Sequence, residues 1–283
     1  MNKTDLRFWF GCGMMISMEF AILGSGSSAN SCFFKGENGA FVIDCGFTLP
    51  QWESRMKCIG ESPASVKYIL ITHHHADHVR GLERITAKYG IPSYVASDSP
   101  LKTLYERREF RPLREFDVDG VRFFPFPTFH DAAPSVGFFF LLDGVRFTII
   151  TDTGVLDERM FRAALKSDVL LLESNYCEEL LESCCYPEFL KRRISSVYGH
   201  LSNRAAFDFL SRLREQPQCR LRQVYLCHLS EKSNTPERVE MLFSSLKDES
   251  FSITVCPKNQ LIKGLCDDTI RKANSECFSC SNR

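Results

Sequence analysis

The chain has 283 residues, 44% hydrophobic and 25% charged, the make-up of an ordinary globular protein with enough apolar residues for a sizeable core. Lysine plus arginine equals aspartate plus glutamate at 35 each; this excludes a generally basic polyanion binder, so any contact with nucleic acid has to come from a local patch. No apolar run reaches the length of a membrane span, and the 13 cysteines, an odd count without framework spacing, read as reduced thiols of a cytoplasmic protein.

The segment Phe8-Trp9-Phe10-Gly11-Cys12-Gly13-Met14-Met15 is apolar but too short and too weakly charged for a signal peptide. Met14, Met15 and Met18 offer later starts, so residues 1–17 are read as an extension outside the fold, with the first strand opening at Met18. Strands are predicted over 19–23, 31–34 and 40–44, the last two paired around Asn38-Gly39. The polar loop Gly24-Ser25-Gly26-Ser27-Ser28-Ala29-Asn30 lies between the first two. Helical periodicity covers 51–59 and 78–89, on either side of the apolar run Tyr68-Ile69-Leu70-Ile71. Strands return at 121–126, 136–142 and 145–151, with Asp143-Gly144 as a hairpin turn.

Helix and strand then alternate: helix 157–166, strand 168–172, helix 202–213, strand 224–227, helix 235–246 with Pro236 in its first turn, and strand 251–255. Cys32, Cys45, Cys227 and Cys256 fall in these strands, where a thiol behaves as a small hydrophobe. Two β-rich halves with helices between and outside them predict an α/β (α+β) αββα sandwich, one domain over 18–266. The polar tail 267–283 reads as flexible; its lone Cys277-Phe278-Ser279-Cys280 lacks the second pair that a structural metal site needs.

The chemistry is concentrated in the histidines. Thr72-His73-His74-His75-Ala76-Asp77-His78 reads H-x-H-x-D-H directly after an apolar strand. In an extended segment residues two apart share a face, so His73 and His75 reach one ion while His74 points away. Asp77 and His78 follow where the chain turns into a helix, offering oxygen and nitrogen to a second ion. By composition this pattern recurs roughly three times in ten thousand such chains, which makes accident, or an inert histidine-rich loop, the poorer explanation. His130, Asp152 and His228 each end a strand or strand-loop, and side chains at adjacent strand ends converge on one rim. Together they complete a dinuclear set: His73, His75 and His130 on one ion; Asp77, His78 and His228 on the other; Asp152 bridging.

That order of strand-end ligands resembles the metallo-β-lactamase superfamily over nearly the whole chain, from Met18 to about Cys266. Finer motifs are similar to the bacterial YycJ (WalJ) family: Gly24-Ser25-Gly26-Ser27-Ser28-Ala29-Asn30-Ser31, Thr151-Asp152-Thr153-Gly154, Glu173-Ser174-Asn175, Tyr186-Pro187 with Leu190-Lys191-Arg192-Arg193-Ile194, Gly199-His200-Leu201-Ser202-Asn203 and His228-Leu229-Ser230. Where that family often has His-Asp after Glu-Ser-Asn, this chain has Tyr176-Cys177. The resemblance implies a metal-dependent hydrolase related to ribonuclease Z, a phosphodiesterase or DNA exonuclease using a hydroxide held between two divalent ions, zinc, manganese or iron. It also implies that His200 assists at the phosphate and that Asp77 handles the proton of the nucleophile.

His200 also fits a helix-entry histidine bonded to backbone. The basic segments Arg107-Arg108 with Arg111 and Arg114, and Lys191-Arg192-Arg193, fit either nucleic-acid contacts or solvated faces. The rival activity is hydrolysis of a small thioester or lactone, which the same ligands serve on this fold. A non-catalytic binding module does not explain a complete ligand set. Oligomeric state is left open by the sequence.

Overall fold

A computed structural model describes residues 19–102, 105–246 and 251–264. The expected start of the first strand at Met18 and the Cys277–Cys280 motif lie outside these residues. The described chain opens with β1 (Glu19–Gly24), β2 (Ser31–Gly36) and β3 (Gly39–Ile43), then helix α1 (Leu49–Ile59) and β4 (Val66–Leu70). Two short helices, α2 (Ala76–Val79) and α3 (Leu82–Tyr89), precede β5 (Ser93–Ala96) and β6 (Arg107–Phe110). A meander follows: β7 (Phe116–Val118), β8 (Val121–Pro127), β9 (Val136–Leu142) and β10 (Val145–Ile150). Next come α4 (Glu158–Leu165), β11 (Val169–Glu173), α5 (Glu178–Ser183), α6 (Glu188–Ile194) and α7 (Asn203–Arg214). The described chain closes with β12 (Gln223–Cys227), α8 (Pro236–Phe243), β13 (Ser252–Val255) and β14 (Ile262–Gly264).

These strands form two seven-stranded mixed sheets, ordered β14-β1-β2-β3-β4-β5-β6 and β13-β12-β11-β10-β9-β8-β7. Side-chain alternation explains why both faces are apolar. Phe20 and Ile22 of β1, Phe34 of β2, and Phe147 and Ile149 of β10 point between the sheets. Ala21, Leu23 and Phe33 point outward onto Trp52 and Met56 of α1 and Leu82 and Ile85 of α3. On the other side Ile150, Leu170 and Leu172 meet Met160 of α4, Phe209 and Leu210 of α7, and Val239 of α8. The middle layer is dense with rings: Phe34 stacks on Phe41 at 5.2 Å and meets Phe140 edge-on at 5.1 Å, favourable geometries for aromatic quadrupoles. The αββα sandwich is the observed fold. No helix of the described residues is long and apolar enough to cross a membrane.

Some boundaries depart from the sequence reading. The helix expected over 78–89 is two, because Arg80 and Gly81 break it after a single turn. The helix expected over 235–246 ends at Phe243 and tightens into a 3-10 turn, Ser244–Leu246. Cys45 and Cys256 lie just beyond their strands, both buried.

Candidate metal centre

His73 and His75 leave β4, Asp77 and His78 lie on the single turn of α2, His130 follows β8, Asp152 follows β10 and His228 follows β12. The His73–His78 segment is stitched by backbone bonds to the residue before β2, Asn30 N–H to Asp77 O at 2.8 Å, and to the end of β3, Cys45 N–H to His78 O at 2.6 Å. All seven residues meet at one edge of the sandwich. Four overlapping groups each have ligand atoms within 4.8 Å of one another: His73, His75 and His130; His73, His78 and Asp152; Asp77, His78 and His228; and Asp152, Glu173, His200 and His228. His74 belongs to none of them.

Asp152 sits between the groups. One carboxylate oxygen is 3.3 Å from His78 Nε2, and the other lies 3.4 Å from His228 Nε2 and 3.7 Å from His130 Nε2. Nε2 of His73, Nε2 of His228 and Oδ2 of Asp152 are buried without a hydrogen bond. An unmatched buried polar atom costs about 1–3 kcal/mol; His73 groups with His78 and Asp152, and His228 with Asp77 and His78, so the unmatched atoms are spread over adjoining groups of donors suited to divalent cations. The residues therefore fit a metal.

Each imidazole's far nitrogen is occupied, which turns the near one inward. His78 Nδ1 lies 2.7 Å from Asp44 Oδ2, His228 Nδ1 3.1 Å from Glu173 Oε1, His130 Nδ1 3.0 Å from the Gly199 carbonyl, and His73 Nδ1 3.1 Å from Thr72 Oγ1. His75 is reversed: its Nδ1 lies 3.2 Å from His130 Nε2 while its Nε2 faces Asp131 at 3.6 Å.

Electrostatics divide the histidines. Burial, reinforced by His78, pushes the His73 pKa down; burial and the neighbouring His130 do the same to His75. Burial opposes charge on His78 and His228 as well, but Asp152 outweighs it at both, aided by Asp44 and Asp77 respectively, and raises their pKa well above the ordinary histidine value. The same contacts overcome burial to hold Asp77 and Asp152 well below the usual carboxylate range.

His200 sits beside this cluster. Its Nδ1 is 2.8 Å from Glu173 Oε1 and 3.8 Å from Asp152 Oδ1, and its ring stacks on His228 at 5.2 Å. Glu173 is fully buried and also accepts the Thr153 N–H at 2.9 Å, so it joins His200, His228 and the Asp152 turn. The sequence reading gave no role to Glu173 or Asp44. Their signal was the one used for Asp152 and His228, a polar residue ending an apolar strand. Tyr176, where the chain departs from the family pattern, is tied by backbone to the start of α7, accepting the Asn203 N–H at 2.8 Å.

Four cations of the basic segments are ion-paired. Arg107 pairs with Glu109 at 2.8 Å and Arg108 pairs with Glu106, both on edge strand β6. Lys191 pairs with Glu188 at 3.2 Å, and Arg193 with Asp131 at 2.5 Å. Arg192 is exposed and, alone of its trio, makes no ion pair among the described residues.

Residues 24–156 match the family model of the metallo-beta-lactamase superfamily. The chain is 30% identical over 241 residues to exodeoxyribonuclease WalJ of Streptococcus pneumoniae serotype 2 (strain D39 / NCTC 7466), covering 80% of this chain and 87% of that one. It is 29% identical over 244 residues to exodeoxyribonuclease YycJ of Bacillus anthracis, covering 83% and 90%. Among solved structures, the metallo-beta-lactamase fold protein YhfI of Bacillus subtilis superimposes with a TM-score of 0.66 at 14% identity, over 88% of this chain and all of that one, a likeness of fold. Strand-end ligands, two sheets and these relatives agree: the chain belongs to the metallo-β-lactamase superfamily, in the family of WalJ and YycJ.

Proposed function

We propose that the chain is a dinuclear metal-dependent phosphodiesterase that cleaves nucleic acid, acting as a DNA exonuclease in a reducing, cytoplasmic setting. The observation that carries this is Asp152, a buried carboxylate facing His78 on one side and His130 and His228 on the other, in a chain whose relatives along most of its length are named exodeoxyribonucleases. His73, His75 and His130 hold one ion, Asp77, His78 and His228 the second, and Asp152 both. Zinc and manganese suit this nitrogen and carboxylate set, and iron is the third choice. Such ions supply Lewis acidity and a nucleophilic water at neutral pH.

The rest is done by the protein's own groups. Glu173 accepts a hydrogen bond from His200 Nδ1–H and fixes the ring, so that Nε2 is the nitrogen left for a phosphoryl or leaving oxygen. Against burial, the contacts with His228 and His78 keep Asp77 ionised, able to accept a hydrogen bond from the nucleophile. Asp44 and Glu173 hold His78 and His228 in the ligand tautomer.

The test is cleavage of end-labelled single- and double-stranded DNA and RNA, beside a thioester and a lactone, with zinc or manganese added to chelated protein. Metal-restored shortening of DNA from an end is expected. Hydrolysis of the thioester or lactone with every oligonucleotide intact would overturn the reading.

A further inference from the structure

Beside the candidate metal centre lies a short segment with three exposed large apolar side chains. Phe189 is 74% exposed, Val197 51% and Tyr198 59%, and all three lie within ten residues of one another on α6 and the turn after it. A single exposed ring needs no explanation, but a cluster at the mouth of a site marks an interaction surface. Phe189 makes no ring contact and the Tyr198 hydroxyl no hydrogen bond among the described residues.

The segment is fixed in place. A Cβ on Gly154, two residues after Asp152, would lie 2.2 Å from the Ser196 carbonyl oxygen and 2.4 Å from that of Val197. One on Gly199 would lie 2.2 Å from both the Arg193 and Ile194 carbonyl oxygens. Only glycine permits either approach, so the turn is clamped between the Asp152 loop and the end of α6. Gly199 also receives the His130 Nδ1 hydrogen bond at 3.0 Å, and Arg193 reaches Asp131 at 2.5 Å. Tyr198 is thus one residue from a group that orients a candidate ligand, and two from His200.

Charge identifies the occupant. Glu188 and Asp131 engage Lys191 and Arg193, leaving the exposed Arg192, three residues along α6 from Phe189, as the cation of this helix without an ion pair among the described residues. Exposed aromatics interleaved with a free arginine are the features that hold a single strand, bases stacked on rings and phosphates on the cation.

Building on the nuclease reading, we propose that Tyr198, supported by Phe189, is the surface on which an unpaired base of the substrate strand stacks as its phosphodiester enters the metal centre, with Arg192 meeting a phosphate of the same strand. Tyr198 is then a positioning residue that lets a frayed or single-stranded end dock.

The experiment uses the metal-loaded protein and a single-stranded oligonucleotide with cleavage-resistant phosphorothioate linkages and 2-aminopurine as its terminal base. Binding to the unsubstituted protein and to Tyr198→Phe should quench the fluorophore, as stacking does. Tyr198→Ala should leave it bright and bind roughly tenfold or more weakly, with an unchanged melting temperature, since the side chain is exposed. Replacing the terminal nucleotide by an abasic residue should cost the unsubstituted protein the same factor and cost Tyr198→Ala nothing further. Quenching that persists in Tyr198→Ala, or two losses that multiply, would overturn the proposal and leave the patch to a protein partner. If the unsubstituted protein shortens oligonucleotides while Tyr198→Ala binds and quenches like it, only this inference fails. If it cleaves no nucleic acid, the nuclease reading has failed first.

Discussion

Asp44, Asp152 and His228 each end a strand with a backbone φ of 63°, 56° and 59° respectively. For a residue with a Cβ this left-handed conformation is uncommon and costs of order 1–3 kcal/mol, sustained where the surroundings over-determine it. Here it bends the chain off each strand at the residue whose side chain enters the cluster. His200 is the residue whose role the geometry sharpens most, since its Nδ1 is committed to Glu173. His200→Ala is expected to keep its metal and fold yet lose roughly a hundred- to ten-thousand-fold in turnover. The loss should be smaller on bis-p-nitrophenyl phosphate, whose leaving group needs little protonation. A variant with lowered metal content, or with unchanged turnover on both substrates, would remove His200 from the chemistry.

The two classes of histidine also make opposite contributions to stability in chelated protein. His78 and His228 have raised pKa values. Their stabilisation is fully present below the unfolded value of about 6.5 and is lost as pH rises through the folded one. His73 and His75 have lowered values, so they cost stability as pH falls below about 6.5. The effects oppose each other in a melting curve, which makes residue-resolved imidazole NMR titration of metal-free protein the informative measurement. His78 and His228 should titrate above the ordinary range and His73 below it; the reverse order would contradict the described contacts.

Among the elements, the long apolar strands and amphipathic helices were legible in the sequence because each buries a periodic stripe. Others were not. In β6, Arg107-Arg108-Glu109-Phe110, only Phe110 is buried, and the strand owes its existence to pairing with β5. Helix α6 buries no side chain, so no period marks it; it read as a family motif and a run of basic residues, not as a helix. The candidate ligands stood out in the sequence because clustered histidines are chemically rare. Glu173 and Asp44 were not, because a carboxylate at a strand end is a common turn former and its partners lie 55 and 34 residues away. The pairing on α6 also revises the electrostatics. Changing Lys191, Arg192 and Arg193 together to Gln should lower the slope of log affinity against log salt by about 0.7, the value for one phosphate on a single strand. A drop near 2, three contacts' worth, would show that the ion pairs of Lys191 and Arg193 open on binding.

On the scale of the whole molecule, the two sheets serve as a stiff frame. Strands of both deliver their ends to one edge, β3 and β4 from the first sheet and β8, β10, β11 and β12 from the second, and the aromatic layer between them holds those ends in register. A centre shared between two sheets is specified only when both are packed, so metal occupancy should track the folded state, and metal should in turn stabilise it. Metal stoichiometry, measured by elemental analysis on the unsubstituted protein and on Asp152→Ala, tests the dinuclear centre most directly. Two ions per chain are expected, with both occupancies and hydrolysis lost when Asp152 is removed; a single ion per chain, or two that survive the substitution, would contradict it.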